Sequence, residues 1–494
     1  MVGMVAGIGN FASIVVQNLL LVPIFLSYWG QETYGIWLSL LAAQTMLQTV
    51  NTSHQGYVGN ELNRSIHAKC VSEFALTMGS NVFIAICLGM LQLFIVAGLV
   101  ITGSLGSLLG TKTGADTTYA WGFGILVSSW VVTGPVIGIL VKLYAPFGHF
   151  ARGSWLGVGQ RILQTLAVAI CVKEGAKLLA VAIAYSATSI ITNSVIFCDA
   201  RRMIRRAGFW TCRLNIGVGV KDLGRSLVIV VRDLMEQGGN SGLILMIGHT
   251  LGVAIIPTFT TLRTLANTAM QAATILLQPI ATDFIRLHSA RRGRDIAEIL
   301  AVAWFAAGAV INIAMAAMLP FVPMVYDAWV RHRIGFDETT FILLMWTVVI
   351  KNFGAPITMY LSTNNHLNFM SAAAFFRNAI TVILAAIVMI PAGIRGVAMV
   401  LVLAEIVASV WIPLRFAASE LASVSGKLNR AAIWLAVAEQ SVWLGIATTA
   451  LLFPLCLRLV VEVSVLALSL IAWIRWKNLG AESTKRLLSV LKLS

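Results

Sequence analysis

The residues best placed to do chemistry are amides and charges set inside apolar stretches. In "AAQTMLQTVNTSHQGYVGNELNR", residues 42–64, Gln44, Gln48, Asn51 and Gln55 recur at i, i+4, i+7 and i+11. That spacing lays four side chains on one helix face. Thr260, Thr264, Asn267, Gln271, Thr274 and Gln278 make a similar stripe farther along. Shorter stripes run through Asn10, Ser13 and Gln17 and through Asp233, Glu236, Gln237 and Asn240. One amide in an apolar span is ordinarily interhelical glue worth about 1 kcal/mol. Four stripes at corresponding places suggest a shared water-filled cavity instead, with the amides facing water and a polar ligand.

Five cations, Arg161, Arg232, Arg263, Lys351 and Arg377, fall near the middle of apolar stretches, as do the acids Asp233, Glu236, Glu405 and Glu439. Unpaired in a bilayer, each costs several kcal/mol. Arg232 and Glu236 are four residues apart and are expected to pair along one helix. Asp233 is then left without a local partner, which makes it the first candidate for coupling to H+ or Na+, with Glu236 beside it. Arg263 lies within the threonine and amide stripe, where a guanidinium suits phosphate or carboxylate oxygens. Arg161, Lys351 and Arg377 remain open between ligand contact, snorkelling and a salt bridge to Glu405 or Glu439. The candidate binding set is therefore Arg263, Arg161, Lys351 and Arg377 with Gln44, Gln48, Asn51, Gln55, Asn267, Gln271, Asn10 and Gln17. The 6 cysteines show no metal-binding spacing, so neither a metal nor another cofactor is expected, a coupling ion apart.

The elements that must carry these residues follow from composition. Of 494 residues, 58% are hydrophobic and 11% charged, and the mean hydropathy is +0.87. Soluble domains carry about 25% charged residues. The chain reads as an all-α integral membrane protein with about 14 spans, near 4–28, 34–60, 72–103, 119–146, 151–173, 176–198, 223–248, 251–285, 296–320, 338–363, 366–391, 395–418, 431–453 and 456–475. The first span lacks a basic leader and a cleavage site and is expected to stay. With the N-terminus inside, 23 basic residues fall on the inner side and 7 on the outer. Both termini are thus expected in the cytoplasm. The basic loops serve topology and anionic lipid, and nucleic acid is not an expected partner.

The longest loop, near Asp199–Asp222, is basic and divides the chain. We expect an N-lobe over 1–200, a linker over 201–222, a C-lobe over 223–420, and C-terminal helices with a tail over 421–494. "YWGQETYGIWLSLLAAQTMLQTVNTSHQG" from Tyr28 resembles "MIGHTLGVAIIPTFTTLRTLANTAMQAA" from Met246. Gln48, Asn51 and Gln55 stand 216 residues before Thr264, Asn267 and Gln271. The two copies enter from the same side, which suggests a parallel repeat about an axis along the membrane normal.

The segments "LLLVPIFLSYWGQETYGIWLSLL", "GYVGNELNR" and "LLQPIATDFIRLHSARRGRD" carry a family resemblance. The chain resembles the polysaccharide transporter branch, with its O-antigen (Wzx-type) flippases, of the multidrug/oligosaccharidyl-lipid/polysaccharide (MOP) exporter superfamily. That resemblance implies a V-shaped, MOP/MATE-like bundle of 12 core helices in two lobes, plus 2. It implies alternating access in a bacterial inner membrane, with a polyprenyl-pyrophosphate-linked oligosaccharide as cargo. Membrane lipids, a glycan polymerase and glycosyltransferases are the implied partners. No covalent catalysis is expected. Two other functions are weighed against this one. A drug or cation antiporter calls for an acid-dominated cavity. A glycan polymerase or ligase calls for an outer catalytic loop, for which "VYDAWVRHRIGFDET", with Asp327, Arg331, His332 and Arg333, is the available segment.

Overall fold

The computed structural model describes residues 2–109, 117–319, 321–364, 367–428, 430–452, 459, 462 and 463. Every regular element among them is helical. The order is α1 Val2–Tyr28, α2 Gly30–His67, α3 Val71–Ile101, α4 Ser104–Leu109, α5 Thr117–Lys142, α6 Phe150–Lys173, α7 Leu178–Arg206 and α8 Ile216–Gln237. There follow α9 Leu243–Leu251, α10 Ile256–Ser289, α11 Gly293–Met318, α12 Val322–Trp329, α13 Glu338–Thr363, α14 Leu367–Glu405, α15 Ile412–Ser423 and α16 Arg430–Leu452. Of the fourteenth expected span, 456–475, all but residues 459, 462 and 463 lies outside the described residues, as does the tail.

The polarity of the interior is that of a membrane protein. Asn51, His54, Asn81 and Ser226 are fully buried, while Phe94, Val132 and Ile390 are at least 70% exposed. Lipid accepts apolar surface, and buried polar groups must then bond to one another. Among the described residues, seven segments are long and apolar enough to cross a membrane by length and composition. One of them, Phe369–Ser423, has 55 residues, enough for two crossings at about 20 residues each. It bends at Gly393, at φ 55°, two residues after Pro391. The break between the eleventh and twelfth expected spans therefore falls where the sequence has Pro and Gly. Helices α2 and α10, with 38 and 34 residues, are long enough to cross, but their polar stripes lower their hydropathy.

The helices fall into two compact units. The first is Met1–Pro257 with Trp329–Arg333, and the second is Thr258–Ala328 with Ile334–Ser494. The division falls at Pro257 rather than in the expected linker at 201–222, because α8 packs on α2 and α3. In the first unit Val58, Leu62, Phe74, Ile139, Leu140 and Tyr144 form the apolar core. In the second, Ile296, Leu300, Trp304, Phe353, Ile357 and Phe369 do so.

Among the described residues, two π-helical turns interrupt the expected spans, at Gly238–Gly242 after α8 and at Ile406–Trp411 after α14. Such turns widen a helix by one residue and reposition the side chains around them. Gly30, the first residue of α2, and Gly252, just before the short 3-10 turn that leads into α10, take the left-handed conformation, at φ +74° and +95°. Gly35 serves a different end: a Cβ there would lie 1.9 Å from the Val253 carbonyl oxygen. The short helices α4 and α12 were not among the expected elements. Each is shorter than a span and carries no period long enough to read.

Candidate functional site

The stripe on α2 does not face an open cavity within its unit. Gln44 Nε2 donates to the Leu126 carbonyl of α5 at 3.0 Å, and Asn51 Nδ2 to the Ala85 carbonyl of α3 at 2.9 Å. Gln55 Nε2 donates to Asn51 Oδ1 and to the Gly134 carbonyl, both at 3.1 Å. These three amides are buried and hold α2 to α3 and α5. The expectation that they face water is corrected. In a medium without water, a backbone carbonyl on a neighbouring helix is the available partner for a primary amide. Gln48 alone of the four is half-buried and takes no part in these bonds.

The stripe on α1 also meets a neighbour. Arg161 Nη1 of α6 donates to Asn10 Oδ1 at 2.8 Å, to the Asn10 carbonyl at 3.2 Å and to Ser13 Oγ at 2.8 Å. All three acceptors are neutral oxygens. Asn10 is thereby a partner of Arg161, and Gln17 is half-buried one to two turns along.

The acids pair otherwise than expected. Arg232 Nη2 and Nε donate to Asp233 Oδ1 at 2.7 and 2.9 Å, and Ser53 Oγ of α2 donates to Asp233 Oδ2 at 2.8 Å. Arg232 therefore does not pair with Glu236, which is exposed, and Asp233 is not a lone carboxylate. The reason is side-chain length. Asp233 is short and its carboxylate stays close to the helix, where the neighbouring guanidinium folds back on it while Ser53 completes its bonding.

In the second unit the Arg377 guanidinium meets Glu405. Nη2 donates to Glu405 Oε2 at 3.3 Å and to Ser409 Oγ at 3.2 Å, while Nε stands 3.1 Å from Oε1 in ionic contact. Ser409 in turn donates to Glu405 Oε2. The π-helical turn places Ser409 there, and Gly354 of α13 allows the approach, since a Cβ on it would lie 1.9 Å from the Ser409 carbonyl. Arg377, itself half-buried, is thus ion-paired with buried Glu405, one of the alternatives its sequence left open. Arg263 on α10 is half-buried, with its guanidinium carbon 5.9 Å from the Phe259 ring centre, and feels the charge of the same Glu405. Asn267 and Lys351 are half-buried. The Gln271 side chain lies outside the described residues.

Sequence reading passed over one buried polar cluster in the first unit: His54, Asn81, Asp222 and Ser226, from α2, α3 and α8. Its signal was present in the 42–64 segment, where "SHQ" places a histidine inside a span. In the loop proposed for a polymerase, Arg331 and His332 sit at φ 54° and 57°. Asp337 closes that loop by capping α13: Oδ1 accepts from the Thr340 amide at 3.2 Å and Oδ2 from Arg395 Nε at 3.2 Å. Burial pushes the Asp337 carboxyl up, but the bonds from Arg395 and Thr340 outweigh it and hold it below the usual carboxylate range.

No family model and no curated protein matches the sequence. Solved structures do. The lipid II flippase MurJ, in an inward closed conformation, matches with a TM-score of 0.65 at 14% identity, over 95% of this chain and 99% of that one. An inward-facing multidrug resistance MATE family transporter of the MOP superfamily matches with a TM-score of 0.61 at 14% identity, over 85% and 98%. The Vibrio cholerae MATE transporter VcmN, in its bent form, gives 0.56 at 12% identity, over 86% and 96%. The likeness to MurJ takes in a larger share of this chain than the likeness to either transporter. At these identities the likenesses establish the fold: a polytopic, all-helical membrane protein built like the transporters of the MOP superfamily.

Proposed function

We propose that the chain is a flippase that moves an anionic lipid-linked oligosaccharide, of the polyprenyl-pyrophosphate class, from the cytoplasmic to the outer leaflet of a bacterial inner membrane. It does so by alternating access, with both termini in the cytoplasm. The observation that carries this reading is Arg161, a half-buried cation of the first unit that bonds to three neutral oxygens and, among the described residues, to no acid. Such a guanidinium keeps its charge for an anion, and its planar fork suits phosphate oxygens. In the second unit Arg263 and Lys351 carry further positive charge, and of the stripe amides Gln17, Gln48 and Asn267 are half-buried. The fold shared with a lipid II flippase supports a lipid-linked cargo, and binding and release require no covalent step from the protein. The fold shared with multidrug transporters supports a second reading, a cation antiporter, which the placement of Arg161 disfavours.

The test is deletion of the gene in its host, with complementation. Deletion should leave the lipid-linked glycan in the inner leaflet and remove it from the cell surface. Arg161→Ala should accumulate in the membrane yet fail to restore surface glycan, and Arg161→Lys should restore part of it. Surface glycan unchanged on deletion, with sensitivity to organic cations increased, would overturn the proposal in favour of the antiporter.

A further inference from the structure

Within the first unit, α7 and α8 meet in an elbow, residues 207–215, that is pinned rather than loose. Left-handed Gly208, at φ +78°, follows the end of α7. Phe209 then packs edge-on against Phe74 of α3 and against Phe147, with ring centres 5.2 and 5.8 Å away. The Arg213 amide donates to the Ala75 carbonyl at 2.9 Å, and the Asn215 amide to Ser80 Oγ at 3.0 Å. Gly79 of α3 makes room for this, since a Cβ there would lie 2.4 Å from the Arg213 carbonyl oxygen. Trp210 folds back on α7, its ring centre 6.2 Å from that of Phe197 and 5.7 Å from the Arg201 guanidinium carbon. The elbow presents charge and apolar surface side by side. Arg201, Arg202, Arg205, Arg206 and Arg213 are all exposed, and among the described residues none of them lies within ion-pair distance of an acid. The two acids nearest in sequence are taken. Asp199 holds Arg152 and the Tyr144 hydroxyl, and Asp222 holds Asn81 and Arg225. Arg201 with Arg205, and Arg202 with Arg206, are four residues apart and repel along one helix face. The C-terminus of α7 offers about half a negative charge against four guanidiniums. Most of this positive charge is therefore unanswered by the protein. Beside it, Leu214, Ile216 and Val220 are each more than half exposed, and the apolar stripe continues on the same face of α8 through Leu227 and Val231.

We propose that this elbow is a docking surface for anionic phospholipid of the cytoplasmic leaflet, in which lipid phosphates answer the arginines at the end of α7 and acyl chains lie along the apolar stripe of α8. Three features fit lipid better than water or a soluble partner. An exposed indole set among guanidiniums suits the membrane interface, where such rings sit at head-group depth. The apolar stripe starts at the elbow and runs on into the seventh expected span, so one continuous surface leads from head-group depth into hydrocarbon. The charge is all of one sign, and guanidinium forks take phosphate oxygens in pairs. A zwitterionic head group brings its own cation and answers the patch less well than an anionic one. The inference goes beyond the transport reading and does not depend on the cargo. It draws from that reading only the orientation, with this end of α7 in the cytoplasm. Bound lipid would hold at the membrane surface the segment that seats α8 on α3.

The test uses the full-length protein in nanodiscs of phosphatidylcholine with a minority of phosphatidylglycerol, one lipid or the other brominated in its acyl chains close to the head group. Bromine quenches tryptophan fluorescence on contact, and the Trp210 share is the difference between wild type and Trp210→Phe. Brominated phosphatidylglycerol should quench Trp210 several-fold more per molecule than brominated phosphatidylcholine, since each arginine near an anionic surface is worth roughly fivefold. Arg201→Gln, Arg202→Gln, Arg205→Gln and Arg206→Gln combined should remove that preference, while the matching Arg→Lys set should keep most of it. Raised salt should lower the preference in wild type, so the outcome does not hang on whether the fourfold variant inserts. Equal quenching by the two lipids in wild type overturns the proposal, as does a preference that is indifferent to salt or survives the four glutamine changes. Quenching of Trp210 by neither lipid would give the face to another occupant, a second copy of the chain or the head group of the cargo, and overturns it too.

Discussion

The Gln55 amide stands where a side chain at Gly138 would begin: a Cβ on Gly138 would lie 1.8 Å from Gln55 Oε1. Glycine at 138 is thus what allows the amide to lie between α2 and α5 and bond to Asn51 and Gly134. Gly138→Ala must push that amide out and leave its bonds unmade. We expect a loss of about 2 kcal/mol, read as a lower melting temperature in detergent. In a Gln55→Ala background the same change should cost less than half as much. An equal cost in both backgrounds would show that the two residues do not depend on each other.

That pair marks where the sequence stops being informative. The apolar runs, the glycine turns at Gly30 and Gly252 and the Pro391–Gly393 break are local properties of the chain, and they read directly as helices and their ends. The periodicity of Gln44, Asn51 and Gln55 was legible too, and so was the fact that they share a face. What they face was not legible. Their partners are the Leu126, Ala85 and Gly134 carbonyls of other helices, and a backbone oxygen leaves no mark in sequence. The same limit explains the acids. Spacing favoured Arg232 with Glu236, but the bond to Asp233 depends on Ser53 from α2. Arg377 with Glu405 was visible as two charges 28 residues apart, and only the fold across Gly393 brings them to 3.1 Å.

The Arg377–Glu405 pair yields a contrast between two arginines. Glu405 is buried and answers both Arg377 and the charge of Arg263. Glu405→Gln leaves guanidinium charge in the interior without its acid, at a cost of about 3–5 kcal/mol. The protein should fail to accumulate in the membrane, and Arg377→Met added to Glu405→Gln should restore a part of it. Arg161→Ala, which removes a charge bonded to neutral oxygens, should accumulate normally. Quantitative immunoblots of membrane fractions separate the two, and normal accumulation of Glu405→Gln would deny the pair a structural role.

The last prediction concerns pH and the first turn of α13. Asp337 accepts from the Thr340 amide, from Thr340 Oγ1 at 2.9 Å and from Arg395 Nε. Burial alone would raise its carboxyl, and these bonds bring it below the ordinary carboxylate value. The sign follows from that direction. A carboxyl whose folded value is depressed adds stability that is fully present above its unfolded value, about 3.9. That stability is lost as the pH falls through the lower folded value. Asp337→Asn keeps the cap and removes the charge, so wild type should exceed it in stability near neutral pH. The Arg395 side chain is 60% exposed, so solvent screening holds the difference to a few tenths of a kcal/mol, at most about 1 kcal/mol. Hydrogen exchange of the amides at the start of α13 measures it locally, free of the rest of the chain. The gap between wild type and Asp337→Asn should be constant from about pH 7 to 5, begin to shrink at about pH 4, and close once the pH has fallen through the depressed folded value, where both side chains are neutral. Arg395→Gln should reduce the gap across the whole range. A gap that persists unchanged at the acid end would mean that the carboxylate charge is not what holds this turn.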